Sequence, residues 1–168
     1  QFHQFNRGWH THMQQLGWQP GGVIFFRATG TTTINGSIDA SGKGYRGHDR
    51  QGDDGNGWQG ESILGLGNQA TSNNMNSGGG GTHDYASGGG GYSFTGESGD
   101  SGTGGGGNPN IPGDGGAIIG SESLSKLFFG GAGGTGGDND GGNAENPNGG
   151  MGGGIIILSV NTLTGNGT

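Results

Sequence analysis

The sequence contains no cysteine, which excludes disulfide bonds, thiolate metal sites and cysteine nucleophiles. Large apolar side chains are scarce as well: hydrophobic residues make up 25% and charged residues 11% of the 168 positions. An enzyme domain of this length normally buries a sizeable apolar core, which these residues are too few to build. Sparse charge and clustered apolar residues also distinguish the chain from an acidic disordered tail.

Basic residues are few, since six Lys and Arg stand against 13 Asp and Glu and give a net charge of −7. An acidic surface disfavours nucleic acid and anionic membranes as partners. The one basic cluster, from Lys43 to Arg50, is interpreted as a solvated patch. No apolar run approaches the roughly 18 residues of a membrane span. We predict neither a nucleic-acid partner nor a membrane span.

The chain begins Gln1-Phe2-His3, without Met and without a charged-then-apolar leader. Two interpretations are open: a trimmed chain, or a secreted protein whose signal peptide has been removed. The expectation adopted here is an extracellular location, either secreted, on a cell surface or on a virion.

Glycine is abundant, with 49 residues in tracts such as Gly78–Gly81, Gly88–Gly91 and Gly104–Gly107. The tracts lack the strict three-residue period of collagen. The glycine-dominated region 78–154 is either a flexible linker or a bundle of polyglycine-II helices, left-handed with three residues per turn. Apolar anchors and prolines between the tracts favour the ordered bundle.

Ser121–Phe129 is predicted to form one short helix. Ser121 is a suitable N-cap, and Leu124, Leu127 and Phe128 share a face. Gly130 follows as a helix-ending residue. The predicted fold class is therefore mostly irregular or all-β: a polyglycine-II bundle with a small β element and one short helix.

Two strand-like segments, 21–42 and 155–168, form an internal repeat. The first begins with Gly21-Gly22 and the second directly follows Gly153-Gly154. Both then run through a β-branched stretch to Asn-Gly-Ser/Thr, and they align with one gap. Both Asn-Gly triplets indicate turns, and they also match glycosylation acceptors at Asn35 and Asn166. The first copy continues as Ile-Asp-Ala-Ser-Gly where the second reaches Thr168. We expect this to leave a sheet edge unpaired, and an unpaired edge templates association with another chain.

Residues 1–20 form an aromatic N-terminal arm ahead of the glycine-rich domain 21–168. Its apolar residues recur at spacings of three and four, so they would share one helix face. Either they fold back on their own chain, or they insert into a neighbouring subunit as a docking or donor segment. The predicted subunit-contact residues are Phe2, Phe5, Trp9, Met13, Leu16 and Trp18.

No catalytic or metal-binding motif is found. Gly36–Gly44 departs from a phosphate-binding loop, because its first Gly is one residue too far and Lys43 precedes Gly rather than Ser or Thr. The acidic stretches lack EF-hand spacing. Nucleophile-elbow and paired-acid patterns are absent. We expect no enzyme activity, cofactor or metal; the candidate cation ligands considered were Asp49, Asp53, Asp54, Asp138, Asp140, His10 and His12.

A resemblance to known glycine-rich proteins rests on the glycine tracts and on three further segments, Gly21–Ala28, Ile34–Gly42 and Gly152–Leu158. The pattern resembles glycine-rich proteins found among secreted bacterial proteins and phage tail-fibre adhesins, and it covers most of residues 21–168. The resemblance implies a polyglycine-II sandwich that presents variable loops to a receptor.

The predicted function is a non-enzymatic structural subunit of an extracellular fibre or surface assembly. The subunit would self-associate through the N-terminal arm and strand edges, and its partners are other copies or a fibre protein. The alternative is a phage-fibre adhesin that grips a cell-surface receptor with loop aromatics, namely Tyr45, Trp58, Tyr85 and Tyr92. A third hypothesis is ice binding, because Thr29, Thr31 and Thr33 alternate along one strand.

Overall fold

The computed structural model describes residues 22–49, 56–82, 86–100, 111–137 and 148–167. These ranges contain two β-strands, β1 (Val23–Thr33) and β2 (Ile155–Thr164), and no helix. The remaining described chain consists of extended segments joined by tight turns. The prediction of a mostly irregular fold with a small β element is confirmed.

The two strands form a parallel sheet in which the two copies of the sequence repeat lie side by side. Val23 is opposite Ile155 at the start, and Thr33 is opposite Thr164 at the end. The register shifts once, between Ala28 and Thr31, where one extra residue of β1 is accommodated as a bulge. The single gap in the sequence alignment is therefore a bulge in the sheet.

The tract Gly78–Gly81, at the start of the glycine-dominated region 78–154, donates hydrogen bonds in several directions. The first N–H donates to the carbonyl of Ala132, the second to that of Asp114 and the third to that of Ala70, each at 2.8 Å. The fourth N–H donates to the carbonyl of Thr135 at 3.1 Å. Thr135 lies three residues beyond Ala132, on the same neighbouring segment that accepts from the first N–H. The direction of hydrogen bonding thus repeats every three residues.

The tract Gly88–Gly91 behaves in the same way. Its first N–H donates to Gly79 O at 2.9 Å, and its last donates to Asn76 O at 2.7 Å. Between them, Gly89 donates to Glu97 O at 2.8 Å on a different neighbour. Because bonds to one neighbour again recur after three residues, these segments pack side by side in more than one plane rather than in a flat sheet.

Backbone fills most of the centre of this region, together with the fully buried polar side chains of Asn76, Ser77 and Thr135. A Cβ at Gly131 would lie 1.7 Å from Asn76 O, and one at Gly78 would lie 1.8 Å from Gly88 O, so only hydrogen fits there. Among the described residues the buried hydrophobic side chains are Ala40, Tyr45 and Ala132. The low hydrophobic content of the sequence is thus matched by a core of hydrogen-bonded main chain.

The predicted helix over Ser121–Phe129 is wrong. The chain turns there instead: Leu124 N–H donates to Ser121 O at 3.0 Å, and Leu124 adopts a φ of 53°. A left-handed residue ends any right-handed helical turn. The Ser121 hydroxyl lies 2.9 Å from the hydroxyl of Ser125, so it contacts another side chain rather than capping a helix. The apolar spacing that indicated a helix places side chains on a surface turn.

Candidate functional site

The sheet of β1 and β2 has an open edge on each strand, because each is the other's only strand neighbour in the described part of the chain. Ile155 N–H donates to Gly22 O at 2.7 Å, so the main-chain N–H of Ile155 points inward, toward the chain of β1. Since main-chain groups alternate along a strand, the N–H groups of Ile156 and Leu158 point outward, and so do those of Val23 and Phe25 on β1. No described residue forms a main-chain hydrogen bond with these outward groups of β1 and β2.

The faces of this sheet carry large exposed hydrophobic side chains. Phe25 is 64% exposed, and Val23, Phe26, Ile156 and Leu163 are also exposed. An isolated two-stranded sheet is marginally stable in water, so these side chains require a cover. Within the described fold, the sheet is the part that combines strands lacking a second neighbour with exposed apolar side chains.

After β1 the chain bends at Gly36 and returns to Ala40, which accepts a hydrogen bond from Gly154 N–H at 2.7 Å. The returning segment and β2 enclose an apolar groove of about 430 Å³. The groove is lined by Ile34, Ile38, Ile156, Leu158, Leu163, Thr164, Gly165 and Gly167.

The sheet also lacks the features that protect strand edges. Arg27 is the single charged residue in β1 and β2, and neither strand contains proline. Natural edge strands are usually guarded by lysine, proline or short length. In the part of the chain that the structure describes, the bulge of β1 is the feature that interrupts these edges.

A second exposed surface is formed by turns at the end of the glycine region from which the strands emerge. We call it the loop-end surface and define it by Leu64, Met75, Phe94, Ile118 and Leu124, all of which are exposed. Leu64 and Phe94 are the most exposed of the five, at 70% and 67%.

Hydrogen bonds hold the turns of the loop-end surface together. Asn74 Nδ2 donates to Gly65 O at 3.1 Å, and Ala117 N–H donates to Met75 O at 2.6 Å. The Tyr92 hydroxyl donates to Lys126 O at 3.0 Å. These bonds join four turns into one surface.

A cavity of about 300 Å³ connects the loop-end surface to the sheet. Leu124 and Leu127 line it on one side, and Ile155 and Ile156 line it on the other. The two apolar surfaces therefore adjoin each other.

The aromatic residues expected to contact a receptor are not grouped together. Tyr45 is buried, and its ring packs edge-on against Phe129 at 5.6 Å. Burial, with the charge of Glu61, raises the pKa of the Tyr45 phenol. Trp58 is half-buried and stacks on His48 with ring centres 4.7 Å apart.

Tyr92 is half-buried, and its hydroxyl donates its hydrogen bond to Lys126 O within the turns of the loop-end surface. Tyr85 lies outside the described residues. The subunit-contact residues predicted in the arm also lie outside them; these are Phe2, Phe5, Trp9, Met13, Leu16 and Trp18.

The sequence predicted aromatic contact residues and did not predict the aliphatic residues of the loop-end surface. One signal for them was present. Ser62 and Gly65 bracket Ile63-Leu64, and Gly65 takes a φ of 107° in a turn that presents both side chains to solvent. Hydrophobic residues flanked by turn residues are a sign of a deliberately exposed tip.

The strongest ionic contact is structural. Arg46 Nε and Nη2 donate to the two carboxylate oxygens of Glu61 at 2.8 and 2.9 Å, and Glu61 N–H donates to Arg46 O at 2.9 Å. The hydrogen bonds from Arg46 lower the pKa of Glu61. This pair fastens the segment that follows the first repeat to the segment around Glu61.

Within the described ranges, no three His, Asp or Glu side chains gather closely enough to hold a metal ion. The same ranges contain no helix long and apolar enough to cross a membrane. The two apolar surfaces are therefore the candidate functional features of the described chain.

Comparisons with protein families, with curated proteins and with solved structures found no match.

Proposed function

We propose that the protein is a non-enzymatic structural subunit of an extracellular fibre or surface assembly. The observation that carries the proposal is the two-stranded sheet, with two open edges and exposed apolar faces. Unpaired edges that carry little charge template the addition of further strands. In this protein the edges serve as the contacts between subunits.

The glycine region supplies the rigid body of the subunit, and we infer that its segments are polyglycine-II helices. Support comes from the three-residue recurrence of hydrogen bonds at Gly78–Gly81, since a helix with three residues per turn aims successive N–H groups at three neighbours. The absence of room for a Cβ at Gly131 and Gly78 also supports close helix packing. Such a body resists deformation without a large apolar core.

The N-terminal arm, residues 1–20, is the second predicted contact. The arm and Gly21 directly precede Gly22, the residue next to the start of β1 in the chain. The aromatic residues of the arm are suited to covering an apolar face on a neighbouring subunit. The arm and the strand edges act together in the proposed assembly.

Sedimentation velocity and negative-stain microscopy of the full chain, beside a chain lacking residues 1–20, test this function. We expect concentration-dependent association and filaments from the full chain, and weaker or no association from the shortened one. Single-chain particles at every concentration of the full chain would contradict the proposal.

The loop-end surface favours a second candidate function, an adhesin at the tip of a fibre. Exposed Leu64 and Phe94 would contact a cell-surface receptor in place of the buried Tyr45. Retention of the full chain on intact cells tests this function. A Leu64→Ser and Phe94→Ser double variant should lose retention, whereas Glu122→Gln on the same end should keep it.

For the ice-binding hypothesis, the candidate surface consists of four threonines on the two paired strands rather than three on β1 alone. Thr31 lies opposite Thr162, Thr33 lies opposite Thr164, and all four are exposed, whereas Thr29 falls in the bulge. Thermal hysteresis at the freezing point tests it, and zero hysteresis at millimolar protein would remove it.

A further inference from the structure

The pairing of β1 with β2 is a contact between two copies of one sequence motif. Equivalent positions of the two copies lie opposite each other, from Val23 and Ile155 to Thr33 and Thr164. The first copy is therefore related to the second by the shift that relates one strand to its neighbour in a parallel sheet. Applied again, the same shift places a further copy of the motif on the outer edge of β2.

We propose that this further copy is β1 of a second molecule, added to β2 in parallel and in the same register. The proposal rests on the proposed self-association and specifies its geometry. The occupant of the open β2 edge is thus a second copy of this chain, and the contact continues the sheet already formed within each molecule.

The free main-chain groups of the two edges match in this register. On β2 the outward groups belong to Ile156 and Leu158, and on β1 they belong to Val23 and Phe25. Placing Val23 of the second molecule opposite Ile155 lets Ile156 N–H donate to its Val23 O, as Ile155 N–H donates to Gly22 O within one molecule. A shift by one residue would break this alternation and exchange the faces.

Side chains and charges also match in this register. Arg27, the sheet's one charged residue, would again lie opposite Ser159, so no two like charges meet. Phe25 would again lie opposite Ile157, which gives its exposed ring a second apolar neighbour. Thr33 would again lie opposite Thr164, whose hydroxyls are 2.9 Å apart within one molecule.

The contact joins different surfaces of the two molecules, so it does not close on itself. Each molecule adds two strands, and neighbouring strands in a sheet are rotated by roughly 20 to 25°. Successive glycine regions, attached at one end of the strands, are therefore swung apart by roughly 40 to 50° per molecule. Repetition of a contact of this type gives a helical filament.

Disulfide trapping between two single-cysteine variants tests the register, because the natural chain has no cysteine. Thr33→Cys and Thr164→Cys proteins are mixed and mildly oxidised. We expect the mixed dimer to exceed either homodimer at least tenfold. In the proposed sheet, like positions on successive molecules lie two strands, about 9.6 Å, apart, beyond the roughly 7 Å limit for Cα atoms in a disulfide.

A mixture of Thr33→Cys with Ser159→Cys is the out-of-register control and should give little dimer. Sedimentation of the unsubstituted chain is run alongside to separate two failures. Association without preferential trapping of the Thr33→Cys and Thr164→Cys pair would overturn the register while leaving the proposed function standing. A dominant Thr33→Cys homodimer would instead indicate a symmetric contact between β1 edges and also overturn it. Absence of association would overturn both.

Discussion

Gly152 and Gly153 are neighbours in one extended segment but have different surroundings. A Cβ at Gly152 would lie 1.9 Å from Gly130 O, whereas nothing lies within 4 Å of one at Gly153. We expect Gly152→Ala to lower the free energy of unfolding by about 2 kcal/mol or more, because main chain must move. Gly153→Ala should leave it unchanged or raise it by up to about 1 kcal/mol, since alanine restricts the unfolded chain.

Urea unfolding followed by tryptophan fluorescence measures both glycine variants. Equal destabilisation by the two substitutions would show that the packing of glycine against backbone is not what holds the region together. The pair is well matched because the residues share one segment and both are changed to the same residue.

The Arg46–Glu61 pair makes stability depend on pH. The folded protein holds the pKa of Glu61 below its ordinary value of 4.5, so the ionised carboxylate stabilises the fold above that pH. This stabilisation is lost as the pH falls through the lowered pKa. Glu61→Gln should reduce the free energy of unfolding by about 1–2 kcal/mol at pH 7, a value discounted for partial exposure of the pair.

The stability difference between the natural chain and Glu61→Gln should shrink progressively below pH 4.5. Urea unfolding at a series of pH values from neutral to about 2 checks it, and Glu122→Gln on the exposed turn is the control. A difference that persists undiminished at low pH would contradict the assignment of the stabilisation to the ionised pair.

The sequence indicated where glycine is needed, but it did not indicate which individual side chains are buried. The expectation that Tyr45 is exposed could not be corrected from sequence, because Phe129, which packs against it, lies 84 positions away. The glycine tracts were informative since only glycine lets two backbones approach as Gly131 and Asn76 do.

At the scale of elements, the turn at Ser121–Leu124 contains a strained residue. Leu124 has a φ of 53°, a conformation that costs an L-residue with a side chain roughly 1–2 kcal/mol. Because its side chain is 61% exposed, Leu124→Gly loses little burial. We expect it to raise the free energy of unfolding by up to about 1 kcal/mol, the strain relieved less the added freedom of the unfolded chain.

Leu127→Gly is the control for this turn, since Leu127 is also exposed but has no left-handed backbone. It should lower the free energy of unfolding by about 0.5–1 kcal/mol. Thermal unfolding by circular dichroism compares the two variants. Destabilisation by both would mean that Leu124 contributes packing that outweighs its strain.

Strands were predictable from sequence, whereas the helix was not. The β-branched runs and the repeat identified β1 and β2, and the alignment gap anticipated the bulge between Ala28 and Thr31. Ser121–Phe129 has helical spacing of apolar residues, but it is nine residues long and isolated helices of that length are not stable in water. With no apolar core to pack on, the segment forms a turn.

At the scale of the whole molecule, composition indicated an ordered glycine region, but the identity of its neighbours required the structure. The N–H groups of Gly78–Gly81 bond to carbonyls up to 54 residues away, and nothing in a glycine tract distinguishes one neighbour from another. The candidate interaction surfaces divide in the same way. The two strands followed from the repeat. That both strands have an open edge among the described residues, and which turns form the loop-end surface, required the structure.

Proline at position 158 tests the proposed assembly through the open edge of β2 most directly. Leu158→Pro removes an outward-facing N–H but leaves the inward ladder to β1, a position that proline tolerates on an edge. Leu158→Ala removes most of the same side chain and keeps the N–H. Each variant is compared with the natural full chain by sedimentation velocity and negative-stain microscopy.

We predict filaments from the natural chain and from Leu158→Ala, and single-chain particles from Leu158→Pro with unchanged circular dichroism. Filaments from Leu158→Pro as abundant as those of the natural chain, or single-chain particles from all three proteins, would contradict the account.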